Sequence, residues 1–482
     1  MVVICMRTLA RIALAPIVAA SCVVGVACRA PVEGDPSSSG SASRSRSSAA
    51  PVASNAPTSA SSAPPSPIAK TLRRRPKNEL ELPTTPGNLF FENLDAQVES
   101  VARLARADSK SLPRWKLLAS LHLARGKHRG DIEDIGLAVD EATRCVALDP
   151  RQPDLYVMRA DAQQSLHRTK AARADIEQAR RLDADGDALA AIEQEIDWSE
   201  GLYDKAAASI EQSAVTHKTA ATLARLAILH HDLGREGDAE RAFEEAEDLL
   251  VDTNPMPVAW LDLQRGRHLL AVGRLDEALP FLREAWRRSP VCVAALEELA
   301  DALRIASTAG SEEALRFYEE GARRTGDPGV QGELAKMLRA RGRIGEADTL
   351  KWRAMWKLNV LVLRFPDAMY ARAARFFLDE GGEPGRAVNF LRNDVAARPS
   401  SATWLALARG QLATGHAADA RQSIDKALAM APVSALLYWT AARAHALVGD
   451  DARAKELSDK ARALNPIIGR SEPPLVPPGS VR

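Results

Sequence analysis

Aromatic side chains are scarce in this sequence, at 5% of 482 residues. A core built on ring stacking is thereby excluded, and Ala and Leu must do most of the filling. Such a core suits closely spaced helices. Cysteine is scarcer still. Of five, Cys5, Cys22 and Cys28 lie near the start, and only Cys145 and Cys292 fall later. Two thiols so far apart give no disulfide framework, and no CxxC or Cys/His spacing for zinc occurs. Runs with period-two alternation, the mark of a half-buried strand, are also missing.

Catalytic signatures are absent too. Neither GxxxxGK(S/T) nor GxSxG nor HExxH is present. His230 and His231 are adjacent, so on a helix they point to different faces and form no i,i+4 metal pair. Asp183, Asp185 and Asp187 begin like a calcium loop, but Gly186 sits fourth rather than sixth and Gln194 stands at position twelve. They read as a polar turn with an Asp helix cap. No cofactor or metal is expected, and catalysis by the chain itself is not expected.

Charge is nearly balanced at +1, but unevenly spread. Residues 1–77 carry a net +8 and the rest a net −7. A mildly acidic body argues against bulk nucleic-acid binding.

Arg7 and Arg11 precede the apolar run Ile12–Ala27, in the order of an export signal. Met6 is an alternative start. Two small-residue stretches end in cysteine, Ala19-Ala20-Ser21-Cys22 and Gly25-Val26-Ala27-Cys28. Both resemble a bacterial lipoprotein signal, although neither has the Leu preferred three residues earlier. Cys28, which leaves the longer apolar core, is the favoured lipidation site, with Cys22 as the other candidate. An ordinary cleaved signal and an uncleaved anchor are the alternatives. The resemblance implies an exported chain, lipid-anchored at the outer membrane and facing the periplasm. Residues 29–88, rich in Ser, Ala and Pro, read as a disordered linker. A solenoid is expected over 89–466 and a disordered tail over 467–482.

From about Leu89 the apolar spacing is helical, as in Leu94, Val98, Val101 and Leu104. Glycines at 126, 201, 234, 273, 342, 382, 415 and 449 are expected to end one helix of each unit. Prolines at 150, 290, 328, 366, 399, 432 and 466 mark the other boundary. The spacings between Pro399, Pro432 and Pro466 are close to 34 residues, a helix–turn–helix period. Trp404, Leu407, Ala408, Gly415, Ala420, Ala427 and Pro432 form the clearest unit. Tyr438, Ala442, Gly449, Ala454, Ala461 and Pro466 repeat it. This pattern resembles the tetratricopeptide (TPR) repeat family over about three quarters of the chain. The fold implied is an all-α, right-handed superhelical solenoid of about ten repeats, with Glu92–Arg106 as an N-terminal cap. Irregularities are expected at Lys127–Ile132, at a longer turn near Ser307–Ser311, and in the unit 186–217, which has charges where small residues belong. Cys145 falls on a small-residue position and should be buried.

The resemblance also implies a concave wall made by the first helix of each unit. Carried over to this sequence, its ninth positions are Asp161, Ile228, Arg267, Lys336, Phe376, Arg409 and Arg443. Fifth positions add Arg372 and Trp439; second positions add Trp260 and Met369. The partner-binding set is therefore Trp260, Arg267, Lys336, Arg372, Phe376, Arg409, Trp439 and Arg443. Arg matches carboxylates with a planar fork, and Trp gives contact area at low entropic cost. The expected function is a non-catalytic scaffold whose C-terminal groove binds a protein or an acidic peptide. A non-catalytic subunit of an envelope enzyme or of a secretion or pilus assembly complex is the alternative, and a direct catalyst with its site in the groove is the third and least favoured reading. The Lys and Asn arrangement with which some TPR proteins hold chaperone C-termini is absent.

Overall fold

The computed structural model describes residues 83–250 and 253–475; the export signal, Cys28 and most of the linker lie outside these residues. Among the described residues there are only helices, and no strand. The first, α1, spans Gly87–Ala107. Ten antiparallel hairpins follow. They begin with α2 (Leu112–Arg129) and α3 (Ile132–Leu148), then α4 (Pro153–Ser165) and α5 (Thr169–Arg181). Next come α6 (Gly186–Ser199) with α7 (Tyr203–Thr216), and α8 (Ala220–Asp232) with α9 (Glu236–Leu249). The middle of the chain holds α10 (Pro255–Ala271), α11 (Leu275–Arg288), α12 (Val293–Ala306) and α13 (Thr308–Thr325). Then follow α14 (Pro328–Arg339) with α15 (Ile344–Arg364), and α16 (Pro366–Leu378) with α17 (Pro384–Ala397). The last are α18 (Ser401–Ala413), α19 (Ala417–Leu428), α20 (Ala435–Leu447) and α21 (Asp451–Leu464), closed by a short α22 (Ile468–Ser471). The chain is thus an all-α solenoid of helix–turn–helix repeats.

The local chemistry explains the punctuation. Pro328 and Pro366 open α14 and α16, where a missing N–H costs nothing. Ser400 caps α18 and Thr403 returns a bond to it, forming a capping box. Ala160, Ala172, Ala179, Ala227, Ala239 and Ala246 are fully buried between paired helices. Their lack of bulk sets the helix approach. Cys145 is buried with Val98, Ala105, Trp115, Leu118 and Leu155, and burial pushes its thiol up to about 11.

Four expectations need correction. Gly126 ends no helix; it lies inside α2, where a Cβ would come within 2.7 Å of Ile135 Cγ1. Gly130, at φ 74°, makes that turn. The loop near Ser307–Ser311 is not longer. Ser307 alone separates α12 from α13 and caps the latter through Gly310 N. Order begins before residue 89, because Arg288 donates to Thr84 Oγ1 (2.7 Å) and Thr85 N–H to Thr253 O (2.9 Å). Order also continues past 466, through α22 and on to Leu475. In the unit 186–217 the charged residues are buried but paired: Glu195 with Arg225 (2.9 Å) and Asp197 with Arg173 (2.8 Å).

Packing between neighbours makes a coil; contacts far apart in sequence close it. Tyr203 Oη accepts the Ser401 N–H at 2.7 Å across 198 residues. Asn465 Nδ2 reaches Leu270 O across 195 residues, and Arg168 reaches Arg364 O across 196. Val433 N–H donates to Asp232 O at 2.8 Å. Phe365, buried beside Gly136, joins Leu123, Ile135 and Val139 to the core of the second half. One superhelical turn therefore takes roughly six 34-residue repeats, and the second turn rests directly on the first.

Candidate peptide-binding surface

The first helices α2, α4, α10, α12, α14 and α16 face inward and line a common chamber with a cavity of about 220 Å³. Five of the eight expected site residues meet there: Trp260, Arg267, Lys336, Arg372 and Phe376. Trp260 sits half-buried, with its indole N–H buried and lacking a hydrogen-bond partner. Phe376 is mostly core. Its ring fills the space that a side chain at Gly332 would need, which lets α14 and α16 approach.

The chamber's cations are already matched. Arg267 Nε donates to Glu298 Oε1 at 3.0 Å. Lys336 Nζ donates to Asp379 Oδ2 at 2.7 Å. Arg372 donates to Asp327 Oδ2 at 2.5 Å, and that carboxylate, the largest cause, holds its pKa above the ordinary guanidinium value. Asp327 is itself fixed as the N-cap of α14, accepting from Gly329 N and Val330 N. Arg375 pairs with Glu297 beside them. The expectation of an acid-hungry basic groove is therefore corrected. The wall alternates in sign, and an acidic ligand must exchange with a resident carboxylate. Sequence reasoning missed these acids. A signal existed: Lys127 pairs with Asp161 34 residues later, and Arg267 with Glu298 31 residues later. A cation followed one repeat later by an acid, on the same helix face, foretells such a pair.

The other three residues, Arg409, Trp439 and Arg443, lie apart, and the chain's own end covers them. Arg409, only 2% exposed, donates to Glu472 Oε2 at 2.9 Å. Trp439 Nε1 donates to Pro473 O at 2.9 Å, and Arg443 Nε to Pro474 O at 3.2 Å. Burial lowers the Arg443 pKa and raises that of the Glu472 carboxyl. Leu475 packs against the apolar cluster that contains Trp439 and Ala461. The expectation that these residues face a partner is corrected: they hold an internal Glu-Pro-Pro-Leu segment. Met369 is fully buried and faces no groove. Among the described residues no helix is long and apolar enough to cross a membrane, and no cluster of His, Cys, Asp and Glu has metal-site geometry.

No protein-family model and no curated protein matches the sequence. Among solved structures, the chain is similar to the APC/C hetero-tetramer Cut9-Hcn1 at 12% identity and TM-score 0.33, covering 80% of this chain and 94% of that one. It is similar to yeast Tom70 at 13% identity and TM-score 0.30, covering 78% and 94%. The P58(IPK) TPR domain gives 16% identity and TM-score 0.26, covering 78% and 94%.

Proposed function

We propose that this chain is a non-catalytic scaffold of the bacterial envelope, lipid-anchored through Cys28, that binds an extended segment of a partner protein in the central chamber. The observation that carries this reading is the convergence of Trp260, Arg267, Lys336, Arg372 and Phe376 on one concave wall. An extended peptide matches such a wall: its carbonyls accept from Trp260 Nε1, and its charged side chains exchange into the ion pairs. The C-terminal groove supplies the precedent within the same molecule. There, an Arg takes a carboxylate while a Trp and a second Arg take main-chain carbonyls.

The test is in-cell crosslinking from a photoreactive residue at Gln264, which lines the chamber. One defined protein captured by the wild type, and lost with Trp260→Ala and Arg267→Glu at unchanged melting temperature, supports the reading. Equal capture by the variant moves the site out of the chamber. Incorporation of a labelled fatty acid into the wild type, lost in Cys28→Ser, tests the anchor separately.

A further inference from the structure

The outer wall, opposite the chamber, carries one helix unlike its counterparts. α15 is 21 residues long, and its inner face, with Ala354, Leu358 and Leu361 buried, seats it firmly in the core. On its outer face stand Trp352, Trp356 and Leu363, which are 62%, 70% and 84% exposed. No other tryptophan among the described residues is exposed. The spacing i, i+4, i+11 puts the three side chains in one line along the helix.

The two carboxylates of this helix, Glu346 and Asp348, stand near its start and are paired, with Arg343 and Arg339. From residue 349 to 364 the helix has Lys351, Arg353, Lys357 and Arg364 and no carboxylate. Arg364 pairs with Glu133, and Lys357 reaches Gly326 O. Lys351 and Arg353 make no ion pair among the described residues.

We propose that the Trp352–Trp356–Leu363 face of α15 lies on an anionic lipid bilayer and sets how the solenoid stands on the membrane. None of its three side chains lines the chamber or the cavity beside it. Its area points the same way. A tryptophan buries at most about 250 Å², so two with a leucine fall short of the roughly 800 Å² per partner typical of a stable protein interface. A bilayer requires no shape. Indole rings settle at the headgroup level, and cations beside them are drawn to anionic headgroups. This contact goes beyond the acyl anchor and does not depend on it.

The experiment uses the full chain with vesicles of phosphatidylethanolamine and phosphatidylglycerol, with and without bromine on the acyl chains. Bromine quenches tryptophans that reach the bilayer. The expected result is quenching in the wild type that accounts for two of the eight tryptophans. It disappears in Trp352→Phe/Trp356→Phe and weakens in Lys351→Glu/Arg353→Glu or in about 0.5 M salt. Identical quenching in wild type and the double Phe variant overturns the proposal. So does unquenched emission from a chain that sediments as a dimer and becomes monomeric with Trp352→Ser/Trp356→Ser, which would make the face a contact between copies. The same quenching with Cys28→Ser shows the face acting without the anchor; a wild-type chain that carries no acyl group refutes the anchor reading and leaves this one standing.

Discussion

Gly201, Gly234 and Gly273 close the hairpins α6/α7, α8/α9 and α10/α11 with φ of 80°, 71° and 83°. Gly342, Gly415 and Gly449 close α14/α15, α18/α19 and α20/α21 with φ of 77°, 80° and 86°. The place in the repeat and the backbone are the same, yet the surroundings differ. A Cβ on Gly201 would lie 2.9 Å from Pro399 O, and one on Gly273 2.6 Å from Asn465 Oδ1. At Gly342, Gly415 and Gly449 nothing lies within 4 Å. The first superhelical turn has the second resting on its hairpin turns; the second has no third above it. Inside the coil, the tail Glu472–Leu475 fills the C-terminal end and leaves the middle open. Equivalent repeat positions therefore acquire different duties from their height in the coil.

The largest expected effect tests the filled end. Arg409→Ala leaves the Glu472 carboxylate buried without its cation and should cost about 3–5 kcal/mol in urea unfolding. Arg409→Met with Glu472→Met should recover most of that loss, because both charges go together. If Arg409→Ala is nearly neutral, the tail does not fill the groove in solution.

The glycines sharpen the contrast between turns. Alanine in the left-handed region costs about 1–2 kcal/mol by itself, and that should be the whole cost of Gly415→Ala. Gly201→Ala should cost about 2–4 kcal/mol, since the added methyl also meets a main-chain carbonyl. Equal losses in matched melts would mean that the two turns do not touch. Tyr203→Phe is a gentler probe of the same seam. It strips the Ser401 N–H of its acceptor and should cost about 1–3 kcal/mol, with faster hydrogen exchange at Ser401.

A last prediction concerns pH. Burial, assisted by Lys127, lowers the pKa of His128 to about 4; burial, assisted by His268, does the same for His231. Both lie in the walls of the interior. The folded values are below the unfolded value of about 6.5. The unfolded chain therefore binds more protons between about 4 and 6.5, and stability falls as pH drops through that window. Melting temperature measured from pH 7 down to 4 should fall less steeply in His128→Gln/His231→Gln than in the wild type.

Much of the fold was legible in the sequence because its signals are local. A Gly that must adopt positive φ, a Pro at a helix start and an Ala between two helices each act within a few residues. Gly126 shows the limit: the same residue type can relieve crowding inside a helix instead of ending it. The concave positions were legible as places, and Trp260, Arg267, Lys336, Arg372 and Phe376 do share one wall. Their availability was not. Whether Arg267 faces a ligand or Glu298, and whether Trp439 faces a ligand or Pro473, depends on which residues the coil brings alongside.

The sequence by itself determined the repeat: its period, its helix ends and the small residues that let paired helices touch. Those follow from backbone sterics and from contacts within one or two repeats. The tertiary structure alone decided the pitch of the coil, the seam at a separation of 195–198 residues, and the tail inside it. Pitch is the accumulated sum of small rotations between successive hairpins. A slight change in each shifts which residues meet after a full turn, so no single repeat encodes the seam.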